Sequence, residues 1–196
     1  MNDRVFKHSN AHRLEDPERL KWMPPAEVLS RLHLKHGQRL ADVGAGTGYF
    51  SLPIAEAVGA DGHIFAVDLQ QEMLDLLAVK LRGDDSPTNI SLHRGPASKL
   101  PLEDRSVDVA FYANVWHEFD EGEDVLREAV RVTVPNGSIA VLDWRHDKES
   151  PPGPPQDHRI AADTVVDFLK KHYCRQVSCY NVGRYSYLIT AELRKQ

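Results

Sequence analysis

The chain has 196 residues, 41% of them hydrophobic and 27% charged, with a net charge of −5 at neutral pH. That balance suits one globular domain with a sizeable core. It argues against nucleic acid as the main partner, which needs a basic surface, and no apolar run approaches the roughly 20 residues of a membrane-spanning helix.

Residues 1–22 are polar and rich in charge and histidine, yet Leu14, Leu20, Trp22 and Met23 are apolar anchors that a solvated tail does not need. The expectation is a docked arm over residues 1–23 with a short helix at 17–22, then a single domain over 24–196. The start, Met1-Asn2-Asp3-Arg4-Val5-Phe6, lacks the apolar core of a signal peptide, so a cytoplasmic protein is expected. Pro24-Pro25 opens a helix with Val28, Leu29 and Leu32 at helical spacing, and Gly37 marks its end. The first strand falls at about 38–43. The helix after it carries Phe50, Pro53, Ile54, Ala57 and Val58 on one face and stops at Gly59.

His63–Asp68 reads as a second strand and 70–82 as a helix with Leu74, Leu77, Ala78 and Leu81 inward. Strands follow at 90–93 and 107–112. Asp120, Glu121, Glu123 and Asp124 crowd the start of a helix at about 122–133, where its dipole favours acids. Asn136-Gly137 turns into a fifth strand at 138–143. Residues 145–158 carry charges, then four prolines around Gly153, and read as one long loop of the kind that covers a site. A helix at 161–172 precedes two strands, 175–181 and 185–193, joined as a hairpin at Val182-Gly183-Arg184. Cys174 and Cys179 lie on opposite faces of a regular strand, so two buried thiols are expected rather than a disulfide or metal pair. No His-Glu-x-x-His or Cys-x-x-Cys is present, so no metal site is expected. Alternating strands and helices imply an α/β fold, a parallel sheet with helices on both faces and a C-terminal antiparallel hairpin.

The most informative stretch is Asp42-Val43-Gly44-Ala45-Gly46-Thr47-Gly48. A strand ends near an acid, three glycines follow at every second position, and a helix begins. Such a loop lets a ligand approach the backbone at a helix N-terminus. Alone it also fits a turn that needs glycine for packing. A nicotinamide-binding loop is the rival, but that fingerprint is Gly-x-Gly-x-x-Gly. Here an acid precedes the first glycine by two residues and the spacing is Gly-x-Gly-x-Gly.

Together with Asp68, Leu100-Pro101-Leu102 before Ser106-Val107-Asp108-Val109, and Pro135-Asn136-Gly137, this stretch resembles the class I S-adenosylmethionine-dependent methyltransferases, over nearly the whole chain from about residue 24. Ala113-Asn114-Val115-Trp116-His117-Glu118 and Gly153-Pro154-Pro155 with His158-Arg159-Ile160 look like the branch related to quinone and general small-molecule methyltransferases. The resemblance implies a Rossmann-like seven-stranded, mostly parallel sheet with a reversed last strand pair. It implies S-adenosylmethionine as methyl donor, S-adenosylhomocysteine as product and a small-molecule acceptor. Asp42 then faces the donor's ammonium. Gly44, Ala45, Gly46, Thr47 and Gly48 approach its amino acid end, the helix start at Gly48 offering N–H groups to the carboxylate. Asp68 takes the ribose hydroxyls, Leu69 and Met73 pack on adenine, and Asn114 lies near the amino acid end. Gly95, Pro96 and Ala97 meet the adenine edge, although Pro96 stands where many relatives carry an acid.

His117 stands at the carboxyl end of the fourth strand, where open α/β sheets bind ligands, and its pKa suits a general base. A rim histidine is the plainer role. Tyr112, Trp116, Asp143 and Trp144 wall an acceptor pocket or belong to the core. His158 and Arg159 hold an anionic substrate or simply fix the loop. His12 and Arg13 close the pocket if the arm docks. A nicotinamide-dependent oxidoreductase and a non-catalytic donor-binding regulator are the alternatives.

Overall fold

The structure, a computed structural model, describes residues 4–120, 122–148 and 153–194. Seven strands, β1 Arg39–Val43, β2 His63–Asp68, β3 Ile90–Arg94, β4 Val107–Ala113, β5 Thr133–Trp144, β6 Cys174–Val182 and β7 Ser186–Leu193, form one sheet. Their order is β3-β2-β1-β4-β5-β7-β6. The first five run parallel, and β7 lies antiparallel between β5 and β6. The helices are α1 Arg19–Trp22, α2 Pro25–Leu32, α3 Ser51–Val58, α4 Gln71–Lys80, α5 Gly122–Val132 and α6 Ala162–Lys171.

The central strands are apolar on both faces because each face is covered. Successive side chains alternate between two cores. In β4, Val109 and Phe111 pack with Val28, Ile54 and Val58 of α2 and α3, while Ala110 and Tyr112 pack with Leu126, Val165 and Leu169 of α5 and α6. β1 divides likewise, Leu40 to the first core and Ala41 and Val43 to the second. Chain order reverses beside β1, whose neighbours are β2 and β4. A crevice forms at such a switch point, outside the carboxyl ends of the strands.

Several boundaries differ from expectation. α2 stops at Leu32, with His33 left-handed (φ 50°), and Gly37 serves a separate turn in which its N–H donates to Val58 O. Asn136, also left-handed (φ 63°), lets β5 run through the expected turn, with a register shift against β4 instead of a break. The arm is built of a 3-10 helix, His8–Glu15, followed by α1, which is shorter than the helix expected at 17–22. The 145–158 stretch ends in a 3-10 turn, Gln156–His158, and its residues 149–152 lie outside the described residues, as does Glu121 before α5. Cys174 is buried but Cys179 is exposed, because β6 is an edge strand with a left-handed residue, Gln176, between them. Among the described residues no helix is long and apolar enough to cross a membrane.

Candidate functional site

A cavity of about 940 Å³ opens at the carboxyl ends of β1, β2 and β4. Its first half is the glycine loop after β1. Gly44 and Ala45 both donate their N–H to Val67 O, at 2.8 and 3.0 Å, and Gly46 N donates to Asp68 Oδ2 at 2.8 Å. The loop is thus pinned to the end of β2. Gly44 has a positive φ of 76°, and a Cβ there would stand 2.9 Å from Val115, so only glycine fits without a shift. Asp68 takes a second bond from Gln70 N at 2.9 Å, and burial raises its pKa. Asp42 Oδ2 accepts from Ser51 Oγ at 2.6 Å, while Oδ1 is buried without a partner. Burial, with a further push from Asp68, raises the Asp42 pKa to about 6. Asn114, left-handed at φ 56°, donates through Nδ2 to Met23 Sδ at 3.1 Å and leaves its buried Oδ1 unpartnered.

The second half is built by the ends of β4 and β5, the arm and the proline-rich loop. Asp143, near the end of β5, accepts from His117 N at 2.9 Å and sits 2.8 Å from His117 Nδ1. The carboxylate fixes the tautomer, with the proton on Nδ1 and Nε2 left as the acceptor. Burial pulls the His117 pKa down, but the adjacent Asp143 charge outweighs it, and the net shift is upward. Beside it, burial drives the Glu118 pKa up to about 7. Glu118 Oε1 accepts from Phe6 N at 3.0 Å, and Gln70 holds the same residue by donating from Nε2 to Phe6 O at 2.7 Å. Further along the arm, Glu15 Oε1 accepts from Thr47 Oγ1 at 2.5 Å and from Lys80 Nζ at 2.7 Å. The arm is therefore docked across the site. Trp144 stacks obliquely on Trp22, ring centres 5.3 Å apart, and Gly153 lies flat against Trp144.

Most expected residues meet at this cavity. Asp42, Gly44, Ala45, Gly46 and Thr47 line it from the loop; Asp68, Leu69 and Met73 from β2 and α4; Gly95, Pro96 and Ala97 from the turn after β3. Asn114, His117, Trp144 and His158 line it as well. Four do not. Gly48 is turned away: its N–H donates to Ala45 O at 3.0 Å and Leu77 fills the space on its Cα. Tyr112 and Trp116 are buried in the core against Phe119, since their positions point to the α5 side of the sheet. Arg159 is buried and donates to Pro154 O, Arg145 O and Lys148 O, which shapes the loop. Arg13 lines the cavity; His12 is exposed and does not. Sequence reasoning missed Glu15, Arg19 and Glu118. Asp143 was seen only as pocket wall, although an acid ending a strand was the same signal that singled out Asp42 and Asp68.

Comparison with known proteins agrees with this geometry. A family model described as "Methyltransferase domain" matches residues 41–141. A demethylmenaquinone methyltransferase of Lactobacillus johnsonii is 33% identical over 117 residues, 60% of this chain and 48% of the relative. One from Geobacillus kaustophilus is 32% identical over 148 residues, 71% of this chain and 61% of the relative. The chain thus spans about half to three-fifths of the length of these curated relatives. The crystal structure of an S-adenosylmethionine-dependent methyltransferase from Aquifex aeolicus superposes with a TM-score of 0.89 at 31% identity, covering 96% of this chain and 100% of that one. The strand order, the glycine loop pinned to Asp68 and these similarities lead to one assignment: the chain belongs to the S-adenosylmethionine-dependent methyltransferases.

Proposed function

We propose that the chain moves a methyl group from S-adenosylmethionine to a small acceptor built on a hydroxylated aromatic ring, with His117 as general base. The His117–Asp143 pair is the observation that carries this reading. It places an imidazole acceptor, held by a buried carboxylate 2.8 Å away, in the same cavity as the glycine loop. A raised pKa makes that imidazole a stronger base, and general-base catalysis contributes about 10²–10⁴-fold in comparable cases.

The first half of the cavity fits the donor. Asp42 Oδ1 and Asn114 Oδ1 are two buried acceptors with no protein partner, which suits an ammonium group. Asp68 would hold the ribose hydroxyls, Leu69 and Met73 would cover the adenine, and the backbone of Gly95, Pro96 and Ala97 would meet its edge. When bound, S-adenosylmethionine supplies a methyl group already activated by its sulfonium. The second half suits a flat ring: Trp22, Trp144, Phe119 and the Pro154-Pro155 pair line it. His117 Nε2 takes the hydroxyl proton of the acceptor, and Asp143 stabilises the resulting imidazolium. The arm and the proline-rich loop keep water from the reacting groups. Two relatives methylate demethylmenaquinone by name, which supports a quinol-type acceptor here. We further place the protein in the cytoplasm, without nucleic acid as a partner, as one domain over 24–196 behind the 1–23 arm.

A labelled-methyl assay against quinols, phenols, amines and thiols tests the reading. Transfer to the hydroxylated rings, lost in His117→Gln, is the expected result. Donor binding with no transfer to any of them would leave a binding protein. Tight NAD(H) binding without any response to S-adenosylhomocysteine would restore the oxidoreductase alternative.

A further inference from the structure

One carboxyl in the cavity has no part in the chemistry above. Glu118 ends the 3-10 turn Trp116–Glu118 that follows β4, and it lines the cavity as its neighbour His117 does. Its Oε1 accepts from Phe6 N at 3.0 Å. Phe6 O accepts from Gln70 Nε2 at 2.7 Å, and Gln70 N donates to Asp68 Oδ1 at 2.9 Å. Phe6 and Gln70 therefore link the Glu118 carboxyl to the Asp68 carboxylate across the crevice. Burial raises the Glu118 pKa to about 7; the Phe6 N–H and the His117 charge act against the rise, and Asp143 and Asp68 add to it. Further charged or titratable groups line the cavity from the arm (Arg4, Lys7, Arg13), from the start of α5 (Asp120, Asp124) and from the proline-rich loop (His158). Arg4 stands 4.0 Å from Asp120.

In the donor one sulfur joins the ribose to the amino acid end and carries the methyl group. The reading above gives the ribose to Asp68, the ammonium to Asp42 and Asn114, and the methyl group to a hydroxyl at His117. The sulfur then falls between Asp68 and His117, the two groups whose charges Glu118 feels from either half of the cavity. We propose that Glu118 faces the donor's sulfonium and distinguishes the methyl donor from the spent donor, an assignment that rests on the methyl-donor reading above. The two ligands differ by one methyl group and one positive charge. S-adenosylmethionine brings a cation to the carboxyl, which releases its proton to solvent and meets the sulfonium as a carboxylate. S-adenosylhomocysteine is neutral at sulfur and leaves that proton in place. Methyl transfer thus removes the charge that this contact holds, and the product is bound less tightly than the substrate donor.

Calorimetric titration with S-adenosylmethionine and S-adenosylhomocysteine, without acceptor, tests it. Asp42 and Asp68 meet parts common to both ligands, so their titration cancels from the ratio of the two affinities. An opposite charge at close range lowers a carboxyl pKa by about 1–3 units, so the preference for S-adenosylmethionine should grow about tenfold from about pH 5.5 to about 8. The rise should level off above about pH 7, where free Glu118 is already ionised. Glu118→Gln should make the ratio flat. An imidazolium at His117 would also disfavour the sulfonium, so the rise must persist in His117→Gln. If the Glu118 variant does not fold, proton release carries the test. Titration of His117→Gln in two buffers of different ionisation enthalpy should show about half a proton more released by S-adenosylmethionine than by S-adenosylhomocysteine near pH 6.5. A flat ratio in the unaltered protein, a rise that survives Glu118→Gln, or equal proton release by both ligands overturns the assignment. Binding of both ligands with a flat ratio leaves the donor reading standing. Failure of the unaltered protein to bind either ligand would overturn that reading itself, and Glu118's role with it.

Discussion

The two halves of the cavity are held together by different means. Around the glycine loop the wall is mostly backbone: Val67 O and the Asp68 carboxylate fix three successive N–H groups. Little there depends on flexible side chains, and the loop is preorganised by the sheet beneath it. Across the cavity the arm is fastened by side chains that are distant in sequence, with Glu118 on Phe6, Gln70 on Phe6 and His8, and Glu15 on Thr47 and Lys80. Such ties are individually modest, about 0.5–1.5 kcal/mol for a hydrogen bond and no more for a partly exposed ion pair. The first half is a mould held by backbone, and the second is a cover held by a few side-chain fasteners.

The comparison breaks if variants of the two halves behave alike. The largest expected effect is on turnover. His117→Gln should lower kcat by about 100-fold or more while leaving S-adenosylhomocysteine affinity within about twofold, measured by single-turnover methyl transfer and calorimetry. In the unaltered protein an imidazolium cannot accept a proton, so the rate should rise with pH through the raised His117 pKa and level off above it. Asp143→Asn removes the charge responsible, and should move that inflection to lower pH as well as depress the plateau. An unmoved inflection would mean that another group titrates.

Next in size is the mould. Asp68→Ala should weaken S-adenosylhomocysteine by more than about tenfold, because it removes a carboxylate at the donor site and also frees Gly46 N. Its effect on the KM for the acceptor should be smaller. The cover should respond less. Glu15→Gln loses the ion pair with Lys80 and loosens the arm, and a donor affinity weaker by about threefold is expected, with kcat not lowered. Smallest is Glu118→Gln, read by thermal unfolding. The Glu118 pKa rises on folding from 4.5 to about 7, so the folded state holds the proton more tightly. Stability from this group is therefore greatest at the acid end of that range and is lost as pH rises through it. The glutamine removes that loss: Tm should gain roughly 2–4 °C near pH 8, about 1 kcal/mol, and nothing near pH 4.5.

The sequence made the mould readable and hid most of the cover. Asp42, Gly44 and Asp68 sit at strand ends whose alternation and turn chemistry are local, so spacing alone brings them together. Tyr112 and Trp116 were harder, because one step along a strand or a short turn decides between cavity and core, and aromatic residues suit both. Arg159 lies inside a loop whose shape follows from its own hydrogen bonds to Pro154 and Arg145, which no periodicity announces. Glu15 and Arg19 lie in an arm of little periodicity, and their roles depend on where that arm lands. Apolar anchors such as Leu14 and Trp22 revealed that it docks, but not which of its charges face inward.

Glu15 is fastened to both lips of one opening, Thr47 on the glycine loop and Lys80 at the end of α4. One carboxylate thus staples the arm to two elements far apart in sequence, and the arm cannot leave the glycine loop at this point without also parting from α4.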